Sequence, residues 1–155
     1  MTLLINPNFK AEPTWSKKIE RWHQLDEISY CFCEAVSQWN YCSEFPRPET
    51  IIFSTPGASN LSDLEFVETG ALSPAKFVFT LPNICASVVL QLLAFKGQVL
   101  FLHQGSTTEE FSLSEGRARA KAGQIVWIFS SPPLLINSTE GPLRRVSFEC
   151  IRPDQ

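Results

Sequence analysis

The chain has 155 residues, close to the usual size of one folded unit, so we expect a single domain over residues 1–155. Hydrophobic residues make up 44% of it and charged residues 19%, which is too apolar for a disordered chain. The 13 basic and 16 acidic residues give a net charge of −3, so the composition offers no general attraction for nucleic acid or for an anionic membrane surface.

No segment is apolar enough to cross a bilayer. The longest apolar run, residues 87–95, is interrupted by Gln91 and falls well short of the roughly 20 residues that a membrane span requires. The N-terminus lacks the basic and apolar regions of a signal peptide, which favours synthesis in a cytoplasm. The five cysteines are odd in number and lie among apolar neighbours, so we expect reduced and mostly buried thiols.

The first part of the chain reads as two strands and a loop. A short apolar strand, Leu3-Leu4-Ile5, is followed by an Asn-Pro-Asn turn. Residues 27–36 alternate large apolar side chains with serine and cysteine, the period of a β-strand. Residues 38–48 are aromatic and contain two prolines, so we expect a long loop that packs its own side chains.

Short strands separated by turn signals fill the rest of the chain. The predicted strands are residues 49–55, 64–68, 76–81, 86–95, 98–104, 109–113, 116–122, 124–130, 134–137 and 143–151. A spacing of about 8–12 residues between turns is typical of an all-β fold. The sequence therefore predicts a two-sheet antiparallel β-sandwich, a jelly roll of the galactose-binding-like kind. It has about ten short strands and at most one short helix, at residues 16–25.

The residues that could carry catalysis are few. His23 and His103 are the only histidines, and neither belongs to a nucleophile motif. We interpret His103, on a predicted strand, as a structural residue and His23 as a surface residue. Pairs of carboxylates for glycoside hydrolysis occur by chance among 16 acidic residues, and no glycine-rich phosphate loop is present. The sequence therefore predicts a protein that is not an enzyme.

No metal site is predicted either. Cys31-x-Cys33 with Cys42 nearby lacks a second Cys/His pair at the spacing of structural zinc sites. The acidic pairs Asp26-Glu27 and Asp63-Glu65 could hold a structural calcium ion, but they lack a patterned ligand loop. We therefore predict no cofactor and interpret these carboxylates as solvated charge.

A binding role is better supported, because two predicted surface segments combine aromatic rings with amides. Such a mixture stacks on the C–H faces of sugars and satisfies their hydroxyls, and it serves equally well in a protein–protein contact. Trp127 lies mid-strand among apolar residues and is assigned to the core. The candidate ligand- or partner-binding residues are Trp15, Trp22, His23, Gln24, Trp39, Asn40 and Tyr41.

The opening of the chain, Leu3-Leu4-Ile5-Asn6-Pro7-Asn8-Phe9 followed by Ile19-Glu20-Arg21-Trp22, resembles the start of carbohydrate-binding-like jelly-roll domains in bacteriophage virion surface proteins. The resemblance implies a structural or binding module on a virion, as a capsid decoration or tail component. Its partners would be other virion proteins or copies of itself. The alternative that it implies is a carbohydrate-binding or lectin-like module that holds a glycan. The expected location is the virion, or otherwise the cytoplasm.

Overall fold

The computed structural model describes residues 1–7, 10–56, 67–70, 81–103, 105, 108–132, 135–139 and 141–153. These residues form one sheet with α-helices on both of its faces. The strands are β1 (Thr2–Ile5), β2 (Thr50–Ser54), β3 (Gln98–Leu102), β4 (Val126–Ser130), β5 (Leu135–Ser138) and β6 (Gly141–Ile151). The α-helices are α1 (Glu27–Gln38), α2 (Pro82–Leu93) and α3 (Thr108–Lys121), and short 3-10 helices lie at Ser16–Lys18, Trp22–Gln24 and Asn40–Cys42.

The prediction of an all-β, two-sheet jelly roll is wrong, because the sheet is mixed and belongs to an α/β fold. Its order is β1-β6-β4-β2-β3, and β5 pairs with β6 beside this path. Strand β2 is parallel to both β3 and β4, whereas β6 is antiparallel to β1, β4 and β5. Parallel neighbours need crossover connections, and helices α2 and α3 lie in the connections that a jelly roll would not contain.

Helix α1 occupies the segment predicted as a strand at residues 27–36. Asp26 caps its N-terminus, where the carboxylate accepts a hydrogen bond from the Ser29 amide at 2.9 Å. Ile28, Phe32 and Ala35 recur at helical spacing and are buried. Since Cys31 and Cys33 are buried as well, the helix is apolar nearly all round. This continuous burial produced the misleading alternation.

Helix α2 replaces the predicted strand at residues 86–95. Pro82 stands in its first turn, where a proline has no amide to lose, and Ala94 ends it in the left-handed conformation at φ 49°. Cys85, Val89 and Leu92 recur at spacings of three and four residues and are buried. The helix packs against α1.

Helix α3 replaces two predicted strands, residues 109–113 and 116–122. Its buried face is a row of small residues four apart, namely Thr108, Ser112, Gly116 and Ala120. A Cβ atom on Gly116 would lie 2.8 Å from Ile128 Cδ1 and 2.9 Å from Ile151 Cδ1. Only glycine at this position therefore lets the helix lie this close to the sheet.

The two faces of the sheet have cores of different character. Helices α1 and α2 cover a large cluster that contains Phe32, Phe53, Phe129 and Phe148. Helix α3 covers a smaller aliphatic cluster of Ile52, Val126, Ile128, Ile151 and Ala120. Neighbouring residues of a strand point to opposite faces, so β2 and β4 supply both clusters and are fully buried.

Several predicted strands do coincide with observed ones, at β1, β2, β3, β4, β5 and β6. Val146 and Phe148 of β6 are buried, and Trp127 belongs to the core as expected. The predicted helix over residues 16–25 is instead two separate 3-10 turns. The predicted strands at 64–68 and 76–81 fall mostly outside the described residues. Of these two ranges, the structure describes residues 67 and 68, in a helical turn at 67–69, and Leu81. Among the described helices, none is long and apolar enough to span a membrane.

Candidate functional site

The surface with the clearest capacity for contact is the β3 edge of the sheet. Within the described part of the chain, β3 pairs on one side only, with β2, and it ends the strand order. Its residues, Gln98 to Leu102, are exposed or half-buried, and the Val99 side chain is 39% exposed. A strand edge that presents backbone N–H and C=O groups beside apolar side chains is a template for pairing with another chain.

Helix α3 is joined to the start of β3. The Arg119 guanidinium forms an ion pair with Glu115 at 2.7 Å and donates to Gln98 Oε1 at 2.9 Å. Phe111, near the start of the same helix, is 43% exposed. We call Gln98–Leu102 the β3-edge surface.

The opposite edge of the sheet, β1, is less suited to pairing. The strand has four residues, and the chain terminus fixes it: the Met1 ammonium donates to the Phe148 carbonyl at 2.7 Å, and the Phe148 amide donates to the Met1 carbonyl at 2.8 Å. Its exposed apolar residue is Leu4, at 52%. A strand this short offers few backbone groups to a partner, and short edge strands resist association.

The thiols lie in or beside the aromatic cluster. Cys31, Cys33, Cys42 and Cys85 are buried, and Cys150 is half-buried beside the same cluster. Burial, the largest cause, raises the pKa of Cys42 to about 12, with the neighbouring Cys150 adding to it. Burial likewise raises the pKa values of Cys33 and Cys85 well above their ordinary value. Burial therefore disfavours the thiolate forms of these side chains, which pack in the aromatic cluster.

A buried ion pair joins α1 to β6. The Arg144 guanidinium lies 2.7 Å from Glu27 Oε1, and its second nitrogen donates to the Pro132 carbonyl at 3.1 Å. Only 2% of the Arg144 side chain and 14% of the Glu27 side chain are exposed. Removal of one partner would leave a buried charge without compensation, so the pair fixes the position of α1 on the sheet.

Two of the four acidic residues that could hold calcium are described by the structure, and both have structural roles. Asp26 caps α1, and Glu27 binds Arg144. Asp63 and Glu65 lie outside the described residues. In the described part of the chain, no three His, Cys, Asp or Glu side chains come together as a metal site would require.

The first group of predicted binding residues is divided between core and surface. Trp15 is buried, donates from Nε1 to Glu34 at 2.9 Å, and packs edge-on against Tyr30 at 5.4 Å. Trp22 is half-buried against the aromatic cluster. His23 is exposed beside it, with ring centroids 5.9 Å apart, and Gln24 is half-buried. Trp15 is therefore a structural residue, and the remaining three stay predictions.

The second group lies after α1. Trp39 packs against Phe148, with ring centroids 5.8 Å apart. Asn40 and Tyr41 line a cleft, and the Lys18 ammonium lies 4.0 Å from the centre of the Tyr41 ring. The apolar run after Gly97 predicts the strand β3, but the sequence pattern does not identify the strand that ends the sheet.

His103 follows β3, where its Nδ1 lies 2.8 Å from the Thr55 carbonyl oxygen. At this distance Nδ1–H donates to the carbonyl, which joins the residues that follow β2 and β3. This contact agrees with the interpretation of His103 as a structural residue, although its ring is exposed.

Comparison with known proteins shows a likeness in fold. No family model and no curated protein matches the sequence. Among solved structures, the chain is similar to one from a ketosynthase in complex with its chain length factor, from Xenorhabdus doucetiae. The TM-score is 0.62 at 11% sequence identity, over 94% of this chain and 63% of the solved chain. This chain thus spans less than two thirds of the length of the chain that it matches, and the likeness is one of fold alone.

The likeness corrects the family resemblance. The solved structure is a ketosynthase complex and the described residues of this chain form a mixed α/β sheet, so the resemblance of residues 3–22 to phage jelly-roll domains is wrong. The prediction of a virion decoration or tail module is therefore wrong as well. So is its alternative, a glycan-binding jelly roll. The apolar strand and the later tryptophan on which the resemblance rested are β1 and a short 3-10 helix of an α/β sheet.

Proposed function

We propose that this protein is a non-catalytic subunit that pairs, through the β3-edge surface, with a second chain of the same fold, of the ketosynthase type. The single observation that carries the proposal is β3, the strand that ends the described sheet, which is half-exposed and carries Val99 at 39% exposure. Protein–protein contact is also what the solved structure of similar fold contains, since it is a complex of a ketosynthase with its chain length factor.

Two properties of the surface favour a strand of another chain as its occupant. The outward backbone groups of β3 supply hydrogen bonds in one plane, and the apolar side chains above and below that plane supply buried area. A partner with the same fold carries its own β3 edge, so the two sheets would continue into one another. An isologous or nearly isologous contact of this kind is the commonest way in which related chains pair.

The state of the thiols supports a non-catalytic role. A ketosynthase-type partner would supply any reactive nucleophile, because burial raises the pKa of the thiols at Cys33, Cys42 and Cys85 in this chain. The subunit would then act by shaping or stabilising the partner's site. This division of labour is the proposal that experiment has to test.

The test is co-expression of the chain with each ketosynthase-type protein of the same genome, followed by affinity capture and light scattering. We expect a complex of defined stoichiometry, abolished by Val99→Lys, because a lysine on an edge strand opposes pairing. Leu4→Lys is the matched control, since it puts the same charge on an exposed leucine of the opposite edge. A chain that captures no such partner, or two variants with equal effects, would contradict the proposal.

A further inference from the structure

A cleft of about 520 Å³ lies at the amino-terminal end of the parallel strands. Its walls are the connection between α1 and β2, residues 40–48, and the end of α2, residues 92–95. Trp127 of β4 and Lys18 also line the cleft. The volume is within the range of small-molecule sites.

The lining combines aromatic rings with positive charge. Four rings contribute, those of Tyr41, Phe45, Phe95 and Trp127. The charged lining residues are Lys18 and Arg47, and no Asp or Glu is among the lining residues. Within the described part of the chain, neither Lys18 nor Arg47 forms an ion pair. Two cations without a carboxylate stand out in a protein whose net charge is −3.

Lys18 and Trp127 are held in place by the walls of the cleft. The Lys18 ammonium lies 4.0 Å from the centre of the Tyr41 ring, and the Lys18 carbonyl accepts a hydrogen bond from Gln91 of α2 at 2.9 Å. Trp127 Nε1 donates to the Pro46 carbonyl at 3.1 Å, which satisfies the indole and leaves its ring as an apolar wall. The cleft is therefore built from side chains whose other interactions hold them in place.

The backbone around the cleft is strained. Asn40, Tyr41 and Cys42 have φ angles of 49°, 55° and 55°, and Ala94 on the opposite wall has 49°. These are all the non-glycine residues with positive φ in the described part of the chain, and all four line the cleft. Tyrosine and cysteine are unfavourable in this conformation, and such strain concentrates at ligand sites.

We infer that this cleft binds an aromatic organic anion, such as an aryl carboxylate, sulfonate or phosphate. The rings hold the body of the ligand by stacking and apolar contact. Its anionic group is bound by Lys18 and Arg47, with the Asn40 and Ser43 side chains at the same rim as further polar groups. The inference is independent of the β3-edge surface and of any partner subunit.

The probe that tests it is 8-anilinonaphthalene-1-sulfonate, compared with N-phenyl-1-naphthylamine, which has the same ring system without the sulfonate. Titration by fluorescence and calorimetry is expected to give one site for the sulfonate and at least about tenfold weaker binding of the uncharged amine, because a charge-assisted contact is worth about a tenfold change or more. Amide chemical-shift changes are expected at residues 40–48 and 92–95.

Two pairs of variants separate the cleft from general surface charge. Lys18→Gln and Arg47→Gln should each weaken the sulfonate about tenfold, and Lys17→Gln and Arg21→Gln should change it less than about twofold. All four positions are exposed, so each variant is expected to fold. Equal binding of the two probes, equal effects of the two pairs, or shift changes centred at the β3 edge would each overturn the inference.

Discussion

The two faces of the sheet are packed in different ways, one with large aromatic rings and the other with small residues of a helix. Under α1 and α2, large rings interlock around Phe53, which lies 5.6 Å from Phe32, 5.5 Å from Phe129 and 6.3 Å from Phe101 between ring centroids. Under α3, a row of small residues lets a helix lie almost directly on aliphatic side chains. The first face is sensitive to removal of atoms, and the second to their addition.

The largest effect is expected from Phe53→Ala, compared with Ile52→Ala. The two residues are neighbours on β2, both 0% exposed, and point to opposite faces. Phe53→Ala should lower the free energy of unfolding by about 3–5 kcal/mol, because it leaves a cavity among three rings. Ile52→Ala should cost less, about 2–4 kcal/mol. Urea denaturation measures both, and an equal or larger loss for Ile52→Ala would refute the contrast between the faces.

The complementary change adds atoms beneath α3. Gly116→Val should lower the free energy of unfolding by about 1–3 kcal/mol, because its side chain would meet Ile128 and Ile151 closer than van der Waals distance. Ala118→Val is the control on the exposed side of the same helix. It should cost under about 1 kcal/mol, through helix propensity alone. Thermal denaturation of the two variants decides the point, and similar melting temperatures would argue against close helix packing.

The smallest effect concerns pH and belongs to the aromatic face, which holds the buried thiols. Burial raises the pKa of Cys33 in the folded state, so the unfolded chain releases this proton first as pH rises through about 9. The buried thiol therefore makes its full contribution to the free energy of unfolding below pH 9. Above pH 9 the free energy of unfolding falls by at most about 1.4 kcal/mol per pH unit for each such thiol.

Denaturation under reducing conditions between pH 8 and 11 measures this decline. In Cys33→Ala the stability should fall less steeply than in the unaltered chain, because one of the shifted thiols is gone. Cys150→Ala provides the comparison at a half-buried position. If Cys33→Ala left the slope unchanged, the buried thiol would not contribute to alkaline instability.

The sequence revealed the strands better than the fold. β2 and β4 are short β-branched or aromatic runs bounded by turn residues, a pattern that marks a strand in any architecture. Helix α1 was mistaken because it is buried nearly all round, which suppresses the polar stripe that identifies an amphipathic helix. Helix α3 was mistaken because its buried face consists of small residues, so it has almost no apolar periodicity.

The residues that line the cleft could be predicted from the sequence only in part. Asn40 and Tyr41 were singled out because they join an amide to an aromatic ring in one segment, and both line the cleft. Arg47 and Phe95 come from segments far apart in the chain, and only the meeting of residues 40–48 with the end of α2 makes them neighbours. Trp15 was selected by the same reasoning, yet it is buried, because composition does not distinguish a ring in a loop from a ring beneath one.

The most direct test of the central claim is amide hydrogen exchange of the chain, alone and with a captured ketosynthase-type partner. A strand that pairs with a partner chain gains hydrogen bonds on its outward amides, so exchange at Gln98–Leu102 should slow at least tenfold in the complex. Exchange at Thr2–Ile5, on the opposite edge, should stay the same. Protection at Thr2–Ile5 without protection at Gln98–Leu102 would contradict the assignment of the β3 edge as the pairing surface.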